Sequence, residues 1–390
     1  MPEITNFDHN GIRIEMNESP PSLGPLGGHV LGLVGTSPDH HADIIENVLF
    51  RVANFADCAK LDTVGDEAGT LYHAVYETLK VAKVPIYVVV VPEGLDDAET
   101  VANIIGGVDG ASGQVTGLAL LPTAPEVPTL IAAPGFSHEA GLRSELVSLG
   151  KRMMAEVLLD AVDGPVSAVV EDSESMGGEG LGYEAAYVAY PMPKIYSKAA
   201  QDDIIVSPSV LALGCFARRD PWESPGNLGV NATDMTRQVN YNILDDSTDG
   251  DLLNRYGVGY FARTSRGGFS LIGNRSVMGD FISHVGLRYA IARKLVKSSQ
   301  RAMAENLTMA FMEQEVRVIE DWGQTLVAEG VLPLFECYLH PDLNTVENYK
   351  NGKWYLVLNY ARYSPNETMV YQLNADDGLI EQFLEDVLNG

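Results

Sequence analysis

The sequence predicts an α/β domain on a mostly parallel sheet, then a smaller α+β domain, with extended arms at both termini. Three observations carry this. Apolar, β-branched runs alternate with helical stretches through the first two-thirds of the chain, the pattern of strand–helix–strand crossovers. After about residue 276, apolar residues recur at steps of three and four over two long segments, and strand-like runs follow. A breaker, Pro20-Pro21-Ser22-Leu23-Gly24-Pro25-Leu26-Gly27-Gly28, isolates an N-terminal strand from everything after it. The expected divisions are 1–28 (arm and hinge), 29–275 (α/β domain), 276–374 (α+β domain) and 375–390 (a terminal helix).

In the arm, His9-Asn10-Gly11-Ile12-Arg13-Ile14-Glu15-Met16 alternates polar and apolar. Ile12, Ile14 and Met16 therefore share one face and Arg13 and Glu15 the other. A lone strand is not stable, so its partner is distant in sequence or on another chain. Val30–Val34 reads as a buried strand, with a helix expected to start near Asp39 or His40-His41. Residues 67–83 read as a second helix, and Pro85–Val91 as a strand covered on both faces. Thr129–Ala133 and Val166–Val170 repeat the strand pattern, with a helix expected over 138–161 between them. Ser207-Pro208 predicts an N-cap and a proline at the first helical position, opening a helix to about Ala217.

In the second domain Ile282, Val285, Tyr289, Ala292 and Val296 predict one long helix, and Met312, Val316, Ile319 and Leu326 another. Strands are expected at Leu332–Leu339, Trp354–Tyr360 and Thr368–Leu373. In the last, Met369, Tyr371 and Leu373 alternate with polar neighbours. The tail predicts a short amphipathic helix carrying Leu379, Ile380, Phe383, Leu384 and Val387.

Composition narrows the function classes. At 390 residues and 46% hydrophobic content the chain can fill more than one core. A net charge of −27 repels nucleic acid and anionic membrane and favours solubility at high copy number. Three scattered cysteines, Cys58, Cys215 and Cys337, suggest neither a metal site nor a disulfide framework, consistent with folding in a reducing cytoplasm. Met1–Asn6 shows no basic region leading into an apolar run, so no signal peptide is expected.

Catalytic patterns are sparse, and no cofactor or metal is expected. The histidines include no His-Glu-x-x-His, and Gly352-Lys353 lacks the upstream glycine of a phosphate-binding loop. Gly257-Val258-Gly259-Tyr260-Phe261-Ala262 matches a dinucleotide fingerprint without the strand and helix that must flank it. An α/β hydrolase is the rival enzyme reading, since Ser137-His138 follows a strand. Yet no Gly-x-Ser-x-Gly elbow occurs, and Ser137 reads better as the N-cap of the next helix. Arg218-Arg219-Asp220-Pro221-Trp222-Glu223-Ser224-Pro225-Gly226-Asn227 could line a ligand site or simply order a long loop, and composition favours the loop.

The stretch Val206-Ser207-Pro208-Ser209, Gly214-Cys215-Phe216-Ala217-Arg218-Arg219-Asp220 and Trp222-Glu223-Ser224-Pro225-Gly226-Asn227 resembles the most characteristic region of contractile-tail sheath proteins. His9–Glu15 resembles that family's His-Gly-Val-Arg-Val-x-Glu arm. Gly32–Ser37 resembles its first core strand, and Leu130–Ser137 its Ala-Pro-Gly-Phe-Ser turn. The resemblance runs over nearly the whole chain. It departs at Ile272-Gly273-Asn274-Arg275-Ser276, where the family usually reads Trp-Gly-x-Arg-Thr.

The resemblance implies a structural subunit and no enzyme. Subunits would stack as six-membered rings around a tail tube and contract, on a signal from the baseplate, to drive the tube through a cell envelope. It makes 29–275 an outer domain and 276–374 an inner polymerisation domain. It implies partners in other copies of the chain, the tube, the baseplate and a tail terminator, with no nucleic acid or membrane. Synthesis in a bacterial host cytoplasm would end in a virion tail or an extracellular tail-like particle. Arms exchanged between subunits would bring Ile12, Ile14 and Met16 together with Met369, Tyr371 and Leu373 beside the Trp354–Tyr360 strand. An arm folded onto its own subunit is the competing view. Glu381, Glu385 and Asp386 would face a basic patch on the tube. A surface-layer or tube subunit is the rival among self-assembling proteins.

Overall fold

The structure, a computed structural model, describes residues 23–389 except 109, 111, 178, 179, 266 and 304. The expected arm strand with Ile12, Ile14 and Met16 lies outside the described residues.

Nine strands form one mixed sheet. Its centre is parallel and runs, in spatial order, Val258–Arg263, Ala186–Tyr190, Glu156–Asp160, Leu130–Ala132, Leu31–Gly35 and Ile86–Val90. Antiparallel strands finish both edges: Leu49–Val52 beside Ile86–Val90, and Phe269–Ile272 then Leu228–Val230 beside Val258–Arg263. Alternate residues of each central strand enter two separate cores. Leu31, Leu33, Ile86, Val88, Leu130 and Ala132 point into one, and Val34, Val89, Ile131 and Ala133 into the other. Helices Leu71–Val81 and Pro208–Ala217 fill the first core, and Ala140–Met153 and Val166–Met176 contribute to the second. Every residue of Pro208–Ala217 is buried, and Gly214 lets it approach Val81 of its neighbour closely.

Four expectations are corrected here. No helix starts at Asp39–His41. Only Ile44 there is buried while Ile45 is exposed, too little apolar surface to cover a sheet. The chain instead turns through Asn47, at φ 56°, into the edge strand Leu49–Val52. The helix expected over 138–161 ends at Met153, because Met154 takes a left-handed conformation. Glu156–Asp160 is then a fully buried central strand, and Val166–Val170 opens a helix, Val166–Met176, capped by Pro165. A five-residue apolar run cannot by itself tell a buried strand from a buried helix. Ser137, expected as the N-cap of that 140–153 helix, is not: Glu139 holds the position without a side-chain bond.

The later part packs helices Ile282–Ser299 and Met309–Ala328 against an antiparallel pair, Phe335–Leu339 and Leu356–Tyr360. Their shared core holds Leu26, Leu287, Ile291, Ile319, Trp322, Leu326, Leu332 and Phe335. The buried face of the first helix carries Leu287, Ala290 and Ile291, while Val296 is exposed. The strand expected at Thr368–Leu373 does not form: 361–375 have no strand assignment, and 366–389 are exposed. A strand needs a ladder partner, and the described residues offer this segment none. The terminal helix, Gly378–Asn389, has no buried residue.

Candidate functional site

The motifs that carried the resemblance converge on Asp160, at the end of a central strand. Its carboxylate accepts from the Ser137 hydroxyl (2.8 Å) and the Gly135 amide (3.0 Å) on one oxygen, and from the Ser209 amide (2.7 Å) on the other. Ser209 lies in the first turn of Pro208–Ala217, so a buried anion faces the positive end of that helix. Burial pushes the Asp160 carboxyl up, and the Ser209, Ser137 and Gly135 donors pull it back. The Ala-Pro-Gly-Phe-Ser turn and the Ser-Pro-Ser helix start are thus two halves of one buried knot. Ser137 is fully buried and bonded to a carboxylate, while His138 sits half-exposed, 3.5 Å from Glu139. A nucleophile paired with its base is not what this geometry builds. Among the described residues no group of His, Cys, Asp and Glu could hold a metal ion. No helix there is long and apolar enough to cross a membrane.

The Arg218–Asn227 loop joins the sheet to the helical pair. Arg218 ends the Pro208–Ala217 helix, and its Nη2 donates to the Gly229 carbonyl (2.8 Å) on the edge strand. Arg219 lies 4.0 Å from Glu223, an exposed pair of small energetic weight. Asp220 closes a turn, its carbonyl accepting from the Glu223 amide (2.8 Å). Trp222 packs against the helical core, and Pro225 is buried. Ser224 bonds to Asn274, in the stretch that departs from the family pattern. Asn227 holds a left-handed φ of 58° and donates its amide to the Leu271 carbonyl (2.7 Å). Asparagine tolerates that conformation better than most residues.

Beneath this loop lies a buried cluster. Glu156, His29 and Arg293 meet where the sheet, the stem of the N-terminal segment and helix Ile282–Ser299 touch. His29 Nε2 is 3.7 Å from Glu156 Oε2, and its Nδ1 lies 3.2 Å from the Thr129 hydroxyl. The approach has ion-pair distance but not ion-pair charge. Burial lowers His29 to about 3 and raises Glu156 to about 8, so both are neutral near pH 7. The helix can come this close because residue 286 is glycine: a Cβ there would overlap the Pro221 carbonyl oxygen and reach within 2.8 Å of Glu156 Oε1. From residue 23 onward the Pro/Gly-rich stretch also lies against the helical pair. Trp322 Nε1 donates to the Gly24 carbonyl and Lys294 Nζ to that of Pro25, each at 2.9 Å.

The C-terminal segment leaves this framework by a short series of contacts. The Ala361 amide donates to the Leu334 carbonyl (3.0 Å), and His284 Nε2 lies 3.1 Å from the Tyr363 carbonyl. Glu367 accepts from Arg275 at 2.7 and 3.1 Å. Beyond it Met369, Tyr371 and Leu373 stand exposed, Leu373 at 92%. They do not meet a strand of the described chain, and Glu381, Glu385 and Asp386 touch no basic group there. At 100° per residue, Leu379, Ile380, Phe383, Leu384, Val387 and Leu388 line one half of the terminal helix, all exposed. Glu381 and Glu385 occupy the opposite half, and Asp386 flanks it. Asp160, Glu156, His29 and Glu367 escaped the sequence reading. Their partners lie tens of residues away, and only the acidic ends of an apolar run at 156–160 hinted at the first two.

No family model matches the chain. It is similar over nearly its full length to curated tail sheath proteins. A prophage major tail sheath protein of Pseudomonas aeruginosa is 25% identical over 92% of this chain and 93% of its own. The tail sheath protein of Escherichia phage P2 is 23% identical over 97% and 98%. Among solved structures, the contracted sheath complex of an extracellular contractile injection system matches with a TM-score of 0.70 at 17% identity, over 97% of this chain and 100% of that one. The contracted helical sheath of the anti-feeding prophage matches at 0.68 and 19%, over 94% and 99%. These are structural proteins, not enzymes. By full-length sequence similarity and by fold, the chain is a relative of contractile tail sheath proteins.

Proposed function

We propose that this chain is the subunit of a contractile tail sheath. It polymerises with copies of itself as stacked six-membered rings around a tail tube, and it shortens to drive that tube through a cell envelope. One observation carries the reading. A chain that is otherwise well packed leaves residues 368–389, rich in large apolar side chains, exposed and without a place against its other described residues. Exposed apolar surface on this scale marks a segment whose partner is another molecule. The relatives, solved as sheath and baseplate assemblies, supply the kind of partner.

Within that reading, 29–275 form the outer domain and 276–374 the inner, polymerising one. Ile12, Ile14 and Met16 of one subunit and Met369, Tyr371 and Leu373 of another extend the Phe335–Leu339/Leu356–Tyr360 pair. Supporting this, each strand of that pair has a single ladder partner among the described residues. Main-chain bonding of an added strand survives side-chain rearrangement, which suits a polymer that changes shape. The acidic face, with Glu381, Glu385 and Asp386, meets a basic patch on the tube through weak, salt-sensitive pairs that can release. Baseplate and tail terminator bound the polymer, synthesis is in a bacterial cytoplasm, and contraction uses energy stored at assembly rather than ATP. Negative-stain microscopy of the purified protein tests the class: striated hollow cylinders are expected, and a protein that stays monomeric at high concentration contradicts it.

A further inference from the structure

Among the described residues, the C-terminal segment is held to its own body as far as Glu367 and not beyond. We infer that Arg275 and Glu367 form a releasable clasp that sets where the arm leaves its subunit, and that opening it lengthens the tether between neighbouring copies without detaching the arm. This rests on the arm reaching a second copy of the chain, as proposed above.

The two halves of the clasp are unequal. Arg275 is fixed without Glu367: its Nη1 donates to the Gly279 carbonyl (2.6 Å), and its guanidinium lies 4.2 Å from the centre of the Phe281 ring. It bridges Phe281 through the backbone as well, and the turn between them passes through Gly279 at φ 85°. Glu367 sits on extended chain with no secondary structure around it. When the pair opens, the arginine stays in place and the carboxylate leaves. The dock therefore remains ready to take it back.

The pair is also of the right strength to open. The side chains are 33% and 20% exposed, so salt reaches them and the pair is weak compared with a laddered strand. Behind it the bonds run in series: the Tyr363 carbonyl with His284, then the Ala361 amide with Leu334. The laddered strand ends at Tyr360. Releasing 361–367 frees seven residues, up to about 23 Å of extended chain. A polymer whose neighbours move apart needs slack of this kind, placed before the exchanged strand and separate from it.

The test uses the full-length protein carrying R275E, E367R or both. On the soluble subunit, hydrogen exchange of the Ala361 amide, the hydrogen-bonded one among the described amides of 361–367, is expected to rise about fivefold in each single variant, the factor a pair of this exposure can supply. It should return toward wild-type protection in the charge-swapped double variant, while the body outside the 275–281 turn, where R275E also removes the Gly279 and Phe281 contacts, exchanges as before. Single variants that exchange like wild type overturn the clasp. On assembled cylinders, the single variants are expected to form and then convert to the short state at lower urea than wild type, with the swap restoring the wild-type midpoint. Conversion at the same urea concentration in all four proteins overturns the tether role. Wild-type protein that forms no cylinders overturns the assembly reading instead, and the subunit exchange result still decides the clasp.

Discussion

The strand Ile86–Val90 and the terminal helix Gly378–Asn389 are both rich in large apolar side chains, and their fates are opposite. All five strand residues are buried, and no helix residue is. The strand finds its neighbours within the chain: Leu31–Gly35 on one side, Leu49–Val52 on the other, and a core on each face. The helix has an apolar half with nothing of its own to cover. Apolar content alone therefore does not say where a segment belongs. In the proposed account the body is specified by contacts it makes with itself, and the arm by contacts with another molecule. Damage to the body should register as lost stability, and damage to the arm as lost assembly.

The largest effect is expected at Asp160. Asp160→Ala leaves the Ser209 and Gly135 amides and the Ser137 hydroxyl buried without an acceptor. Urea unfolding should show a loss of about 3 to 4 kcal/mol. A loss below about 1 kcal/mol would show that the knot joining the two motifs is not what holds them. Next comes Gly286→Ala, whose new Cβ overlaps the Pro221 carbonyl oxygen. Overpacking of this kind costs about 2 kcal/mol, and thermal melting of the variant measures it.

The buried cluster gives a pH dependence of smaller size. Burial raises Glu156 from 4.5 to about 8, so the folded state holds a proton the unfolded state releases, and stability falls as pH rises across that window. Burial lowers His29 from 6.5 to about 3, with the opposite sign: stability rises with pH from 3 to 6.5. Arg293, whose guanidinium burial pulls down, and Tyr289, whose phenol burial pushes up, also face Glu156. The two slopes offset between pH 4.5 and 6.5, and only the glutamate's remains above. Stability should then fall by about 1 kcal/mol between pH 6.5 and 8. Glu156→Gln should flatten that fall, and a slope unchanged in the variant would assign it to another group.

The smallest effect on stability is expected in the arm. Leu379→Ser with Phe383→Ser removes side chains that are mostly exposed, so the melt should shift by less than about 0.5 kcal/mol. Cylinder formation should nonetheless be lost. Charge reversal at Glu381 and Glu385 should leave the subunit intact and impair assembly on a tube, most clearly at low salt.

Much of the body was legible because its elements obey local rules. Ile86–Val90 is β-branched and buried on both faces, Ser207-Pro208 opens its helix, and the two late helices show their spacing. Errors fell where local rules are silent. The central strand Glu156–Asp160 carries an acidic residue at each end, and Val166–Val170 is too short a run to choose between strand and helix. The site was less legible than the fold. Arg275 stood out within its motif, but its partner is 92 residues away, and His29 and Glu156 are further apart still. Thr368–Leu373 carries strand alternation that the isolated chain does not use. In the proposed account that is the imprint of a partner strand and not a misreading of the pattern.

One comparison tests this division between body and arm most directly: the full chain beside a chain ending at Thr368, which keeps every contact of 361–367 with the body, each followed by thermal melting and by negative-stain electron microscopy. The account predicts melts within about 0.5 kcal/mol of each other, with striated cylinders from the full chain and none from the shortened one. Cylinders from the shortened chain, or a shortened chain that no longer folds, would contradict it.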